Sequence, residues 1–160
     1  MQPLVTLKLA TSLDGRIATA SGESKWITGE AARHEGHRLR AVHDAILVGV
    51  ETVLADDPEL TVRLLPSSEA TGTKQPLRVV LDSRLRTPVN ARVAQTNTLI
   101  VTAAEPACIG GAQVEQVEAR DGRPTPEAVL SALARHGIGS VLIEGGGQVA
   151  ASFLRAGRVD

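Results

Sequence analysis

Ala45 to Val50 is a run of six residues without a polar side chain, flanked on both sides by charged segments. Six residues fall far short of the twenty or so that cross a bilayer, so the run reads as a strand covered on both faces. Strands of that kind belong to parallel sheets, whose neighbours are joined by helical crossovers. The rest of the chain fits the pattern. Leu4, Val5, Leu7 and Leu9 form a first strand, with Lys8 on the opposite face, and a helix is expected from Gly29 to about Ala41 with Thr28 as N-cap. A short helical turn follows over Glu51 to Ala55. Strands are expected over Leu77 to Leu81, Thr98 to Val101, Val114 to Val117 and Ser140 to Ile143. Thr125 followed by Pro126 starts a helix bearing Val129, Leu130 and Leu133, which ends at His136 and Gly137. Leu65 to Gln75, rich in Pro, Ser, Gly and Thr, reads as a mobile surface loop. The fold class is α/β, one domain over residues 1–160, with the ligand site at the carboxyl ends of the strands.

Composition narrows the partners. A formal charge of −1 calls for no polyanion, and the only aromatic residues, Trp26 and Phe153, cannot build a stacking platform, so nucleic acid is not expected. The lone Cys108 cannot close an intramolecular disulfide and fits a reduced cytoplasm; no metal-ligand spacing accompanies it, and no metal is expected. No membrane segment is expected either.

Val141 to Glu144 runs into Gly145 Gly146 Gly147 and then a helix from about Gln148. Residues without Cβ allow main-chain N–H groups to approach an oxyanion, and the helix dipole favours negative charge at the same point. Many α/β proteins use such a turn without a ligand, and a Rossmann assignment lacks the acid expected some twenty residues later. Ser83, Arg84 and Arg86, after the strand Leu77 to Leu81, suit a terminal phosphate or are only solvated surface. Arg33, His37 and Arg40 share one helix face, able to grip a phosphorylated substrate or merely wet. Asp56 Asp57 Pro58 reads first as a turn terminator, with Pro58 biasing Asp57 to extended backbone and the chain through Leu60 to Arg63 strand-like. No serine nucleophile motif is present.

Four segments together resemble a known family: Lys8 Leu9 Ala10 Thr11 Ser12 Leu13 Asp14 Gly15 Arg16, Ser21 to Thr28, Val53 to Arg63 with its Asp56 Asp57 Pro58, and Glu144 Gly145 Gly146. They are similar, in order and over nearly the whole chain, to the reductase domain of bacterial riboflavin biosynthesis. The resemblance implies a dihydrofolate reductase-like fold, a mostly parallel twisted sheet flanked by helices. It also implies NADPH-dependent reduction of 5-amino-6-(5-phosphoribosylamino)uracil, a small phosphorylated pyrimidine, to its ribitylamino product by a cytoplasmic homodimer. Carried over, cofactor contacts fall on Ala10, Trp26, Thr52, Asp56, Ser83, Gly146, Gly147, Gln148, Val149, Ala150, Ala151 and Ser152. Substrate contacts fall on Ser24, Arg40, Leu60, Arg63 and Glu144, with the 5′-phosphate on Arg40 and Arg63 and the base or ribose on Glu144. Lys8, Asp56 and Glu144 are implied nearest the chemistry. The zinc deaminase signature of bifunctional members is missing, so no deamination is expected. Members continue past Asp160 into strands that complete the sheet and help form a dimer, so such strands are expected outside this sequence. A dihydrofolate or other pterin reductase, and a non-catalytic nucleotide binder, remain the alternative readings.

Overall fold

The computed structural model describes residues 2–22, 24, 27–63 and 74–160. Eight strands and four helices run through them in the order β1 (Leu4–Leu7), α1 (Glu30–Val42), β2 (Ala45–Gly49), α2 (Val50–Asp56), β3 (Leu77–Leu81), β4 (Thr98–Thr102), β5 (Gln113–Gln116), β6 (Ala119–Arg120), β7 (Arg123–Pro124), α3 (Pro126–Arg135), β8 (Ser140–Gly145) and α4 (Gly147–Arg155). Six strands form one sheet in the order β1-β8-β2-β3-β4-β5, and every neighbouring pair is parallel. The last strand of the chain is therefore inserted between the first two.

Alternation along the strands divides the core into two layers. Val5, Leu47, Val79, Leu99, Val141 and Ile143 face α3 and α4, meeting Val129, Leu130, Leu133 and Phe153. Ile46, Val48, Val80 and Ile100 face the other way, onto Val50 and Val53 of α2 and the irregular chain bearing Ala91, Val93, Ala94 and Ile109. β2 is buried at every position, as its apolar run requires. Each such Leu or Ile contributes roughly 1.5–3 kcal/mol when fully buried. At the amino ends of the strands, Asp44 fastens β2 to β8, its Oδ2 accepting from the Gly139 and Ser140 N–H groups at 3.0 and 2.9 Å.

Several boundaries differ from the sequence expectation. β1 stops at Leu7, opposite Ile143 of β8; Lys8 makes one more main-chain bond, to the Ile143 carbonyl at 3.0 Å, and Leu9 is exposed. The N-cap of α1 is Gly29 rather than Thr28, whose carbonyl instead accepts from Arg33 Nη1 at 3.0 Å. Asp57 is left-handed, at φ 39°, not extended. Its N–H closes α2 onto the Val53 carbonyl at 3.0 Å, and its Oδ1 takes the Arg92 N–H at 2.8 Å, so the C-cap outweighs the bias set by Pro58. Residues 57–63 are irregular rather than strand-like, with Leu60 at φ 53°. The β6–β7 hairpin was not expected, although Asp121-Gly122, both at positive φ, is a turn pair that signals one. The loop expected over Leu65 to Gln75 lies largely outside the described residues.

Candidate active site

Four segments converge at the carboxyl ends of β1, β8, β2 and β3. Glu144 is carried there by β8 on the face opposite Ile143, and α1 lays Arg40 across it. Arg40 Nε donates to Glu144 Oε1 at 2.9 Å and to Oε2 at 3.1 Å, while Nη1 donates to the Thr61 carbonyl at 3.0 Å. The side chains are only 16% and 6% exposed, so this ion pair is shielded from water. Of the α1 face made by Arg33, His37 and Arg40, His37 is buried, Arg40 is largely shielded and Arg33 is half-buried; His34 and Arg38, beside it, pair with Glu30 and Glu35 of their own helix. Arg40 has no idle nitrogen for a phosphate in this arrangement. Arg63 does: its guanidinium is 51% exposed and held by Glu59 at 2.6 Å. Glu59 also pairs with Arg92.

His37 lies between them. Its Nδ1 accepts the Arg63 N–H at 3.2 Å. Burial, then the cations Arg40 and Arg63, push its pKa from 6.5 to about 4, against a smaller opposing pull from Glu144. The sequence offered His37 only as one member of a cationic face; its distance of three from Arg40 on a single helix was the available signal. Lys8, just past β1, reaches over α1 at Gly36, where a Cβ would stand 3.7 Å from Nζ. A side chain at position 36 would meet Lys8 only at ordinary contact distance, so packing does not demand this glycine, which inside a helix costs up to about 1 kcal/mol relative to alanine.

The glycine turn brings two helix starts together. α4 begins with Gly146 as N-cap, at φ 87°, and α2 begins after Gly49; neither has a side-chain cap, whereas Thr125 caps α3 by accepting the Ala128 N–H at 3.2 Å. A Cβ at Gly146 would stand 3.9 Å from the Gly49 nitrogen. Main-chain donors of both helices therefore gather at adjacent strand ends, without an acidic residue in the first turn of α4. Gly145 is there for a different reason: a Cβ would come within 2.9 Å of Thr52 Oγ1, so Thr52 packs on the turn. Ile17 of the β1–α1 loop approaches Gly147 in the same way, at 3.3 Å.

The residues implied for the cofactor divide by exposure. Gly147 and Gln148 are open, Val149, Ala151 and Ser152 half-buried, and Ala150 packs into the core, so only the first turn presents a face outward. Ser152 bonds back to the Val149 carbonyl. Thr52 and Ala10 are half-buried and Asp56, at the end of α2, is exposed. Ser83 opens the turn after β3, which buried Asp82 shapes by accepting the Thr87 N–H and hydroxyl at 2.6 and 2.7 Å; Arg84 is exposed and Arg86 pairs with Glu51 of α2. Ser24 is exposed, while Leu60 is 3% exposed in the core. Trp26 lies outside the described residues. No hydrogen bond or ion pair joins Lys8, Asp56 and Glu144 to one another among the described residues. Two shallow concavities of about 340 and 360 Å³ lie away from this centre, beside β5 and α3 and beside β1.

Residues 3–160 match the RibD C-terminal domain. The chain belongs to that family. The riboflavin biosynthesis protein RibD of Bacillus amyloliquefaciens is 46% identical over 168 residues, covering 99% of this chain and 43% of the relative. The chain thus spans less than half of that RibD. The 2,5-diamino-6-ribosylamino-4(3H)-pyrimidinone 5′-phosphate reductase of Methanothermobacter thermautotrophicus is 40% identical, covering all of this chain and 75% of the relative. Among solved structures, Acinetobacter baumannii RibD superposes with a TM-score of 0.83 at 38% identity, over 99% of this chain and 44% of that one. The Saccharomyces riboflavin biosynthesis reductase Rib7 does so with 0.77 at 26% identity, over 99% and 70%. The RibD C-terminal domain fold here is the dihydrofolate reductase-like one expected, with its parallel sheet between helical layers.

Proposed function

We propose that the chain is the reductase domain, over residues 1–160, of an enzyme that reduces 5-amino-6-(5-phosphoribosylamino)uracil to 5-amino-6-(5-phosphoribitylamino)uracil. The observation that carries this reading is the shielded Arg40–Glu144 pair standing beside an uncapped glycine helix start, in a chain of this family. NADPH is the proposed cofactor, and the hydride is what it supplies when bound. The donor set suits it: unclaimed amides at the start of α4 for a diphosphate, and Ser83 with Arg84 for a 2′-phosphate. Thr52, Ala10, Trp26 and Asp56 complete the proposed cofactor contacts.

On the substrate side, Arg63 is the accessible cation and binds the 5′-phosphate in place of Glu59, while Arg40 behind it orients the Glu144 carboxylate toward the base or ribose hydroxyls. Leu60, with its side chain in the core, contributes through its main chain; Ser24 lies on the β1–α1 loop. Lys8 and Asp56 are the groups assigned to proton movement around the ribose as it opens and accepts hydride at C1′. A cytoplasmic homodimer is part of the same proposal, checked by light scattering. The direct test follows loss of reduced-nicotinamide absorbance when the protein meets NADPH and the phosphoribosylaminouracil. Turnover is expected, and replacing Arg63 by alanine raises the substrate KM by about tenfold or more, as loss of a charge-assisted phosphate contact requires. Turnover with dihydrofolate but not with the uracil overturns the assignment.

A further inference from the structure

Thr61, Val62 and Arg63 belong to no strand or helix, yet three side chains from elsewhere satisfy their main chain. Arg40 Nη1 donates to the Thr61 carbonyl at 3.0 Å. Gln75 uses both ends of its amide, Oε1 accepting the Val62 N–H at 2.9 Å and Nε2 donating to the Val62 carbonyl at 3.0 Å. His37 Nδ1 accepts the Arg63 N–H at 3.2 Å. Arg40 and His37 are three apart on α1, so one helix face holds both ends of the segment.

The contact dictates the state of the ring. A protonated imidazole has no acceptor, so His37 is neutral and carries its proton on Nε2. The groups facing it are Arg40 and His34 on α1, Arg63 on the held segment and Glu144 on β8; burial and the two arginines hold the ring neutral. Meanwhile, among the described residues, the Arg63 side chain is placed by the half-buried Glu59 and the Thr61 hydroxyl, and a pair open to water on the arginine side fixes little. What presets the position of the Arg63 guanidinium is its main chain.

We propose that His37 is a positioning residue: by holding the Arg63 N–H it fixes the segment that presents the guanidinium, and so sets the preference for a phosphorylated over an unphosphorylated substrate. This rests on the assignment of Arg63 to the 5′-phosphate made above. An unanchored segment would have to be ordered at the moment of binding, and that cost falls on phosphate affinity alone.

The test compares His37→Leu, which removes the acceptor, with His37→Asn, whose Oδ1 stands close to the place of Nδ1. Two readouts are used: the KM values, and the Kd for ribose 5-phosphate by titration, which needs no turnover. His37→Leu is expected to weaken ribose 5-phosphate and raise the KM of the phosphorylated substrate by about tenfold, leaving the KM of NADPH and of the dephosphorylated substrate within about twofold. His37→Asn restores most of the loss. Unchanged phosphate affinity in His37→Leu, an equal rise for both substrates, or an Asn variant as impaired as the Leu variant overturns the inference. If His37→Leu does not fold, ¹⁵N resonances of the wild-type imidazole decide it, because a proton on Nδ1 is incompatible with the proposed bond. An inactive wild type whose ribose 5-phosphate binding still depends on His37 sinks the assigned reaction and leaves this inference standing; a wild type that binds no ribose 5-phosphate sinks both.

Discussion

Glu144 is a carboxylate almost removed from water and matched to one guanidinium on two of its faces. Such a pair adds little net stability relative to an apolar replacement, but losing one member strands the other in a dry site. Replacing Glu144 by alanine should therefore cost about 3–5 kcal/mol in urea unfolding, the lower end applying if water reaches Arg40 through its exposed fraction. A change under about 1 kcal/mol would mean that the pair is already solvated in solution. The same reasoning separates two arginines that look alike in the sequence. Arg40 is committed inside the protein, and Arg63 is available at its surface.

At the scale of elements, the informative contrast is between two helices of similar length that begin differently. α3 satisfies its first turn with Thr125 and has Pro126 at its first position, whereas α4 starts on glycine with no side-chain cap among the described residues. A helix end that its own sequence leaves open is either solvated or met by an anion. Thr125→Ala should thus lower unfolding free energy by about 1 kcal/mol without altering the KM of NADPH. A shift in that KM would place α3, rather than α4, in contact with the nucleotide.

For the whole molecule, His37 couples folding to pH. Its folded pKa of about 4 lies below the ordinary 6.5, so the unfolded chain binds a proton that the native state refuses. This contribution is complete above pH 6.5 and is lost as pH falls toward about 4. At its limit the loss is on the order of 3 kcal/mol, and the lower sensitivity of His37→Asn to the same acid titration is the check. Asp44 acts in the same direction at lower pH: burial pushes its carboxyl up, but the Ser140 hydroxyl and the Gly139 and Ser140 amides outweigh that and lower it. A denaturation midpoint that stays flat from neutral pH down to 4 would mean that His37 protonates without opposing the fold.

What the residues alone determined is local. The apolar run at Ala45 specified a strand buried on both faces, Thr125 and Pro126 specified a helix start, and Gly145 to Gly147 specified a turn whose Gly146 takes a positive φ and whose Gly145 leaves room for Thr52. The alternation of strand and helix signals specified the α/β class, and the ordered motifs specified the family. Strand order was not legible, because parallel pairing is decided by which crossover packs on which face, and β8 finds its place between β1 and β2 only once both exist. Nor were the partners of the site legible. Arg40 and Glu144 are 104 residues apart, and Arg63 meets His37 across 26. Helical spacing gave Arg40 and His37 a common face, but only burial against the sheet and the irregular 61–63 segment decided that this face is dry. Removal from water is what turns charges that would be solvated on a lone helix into a site.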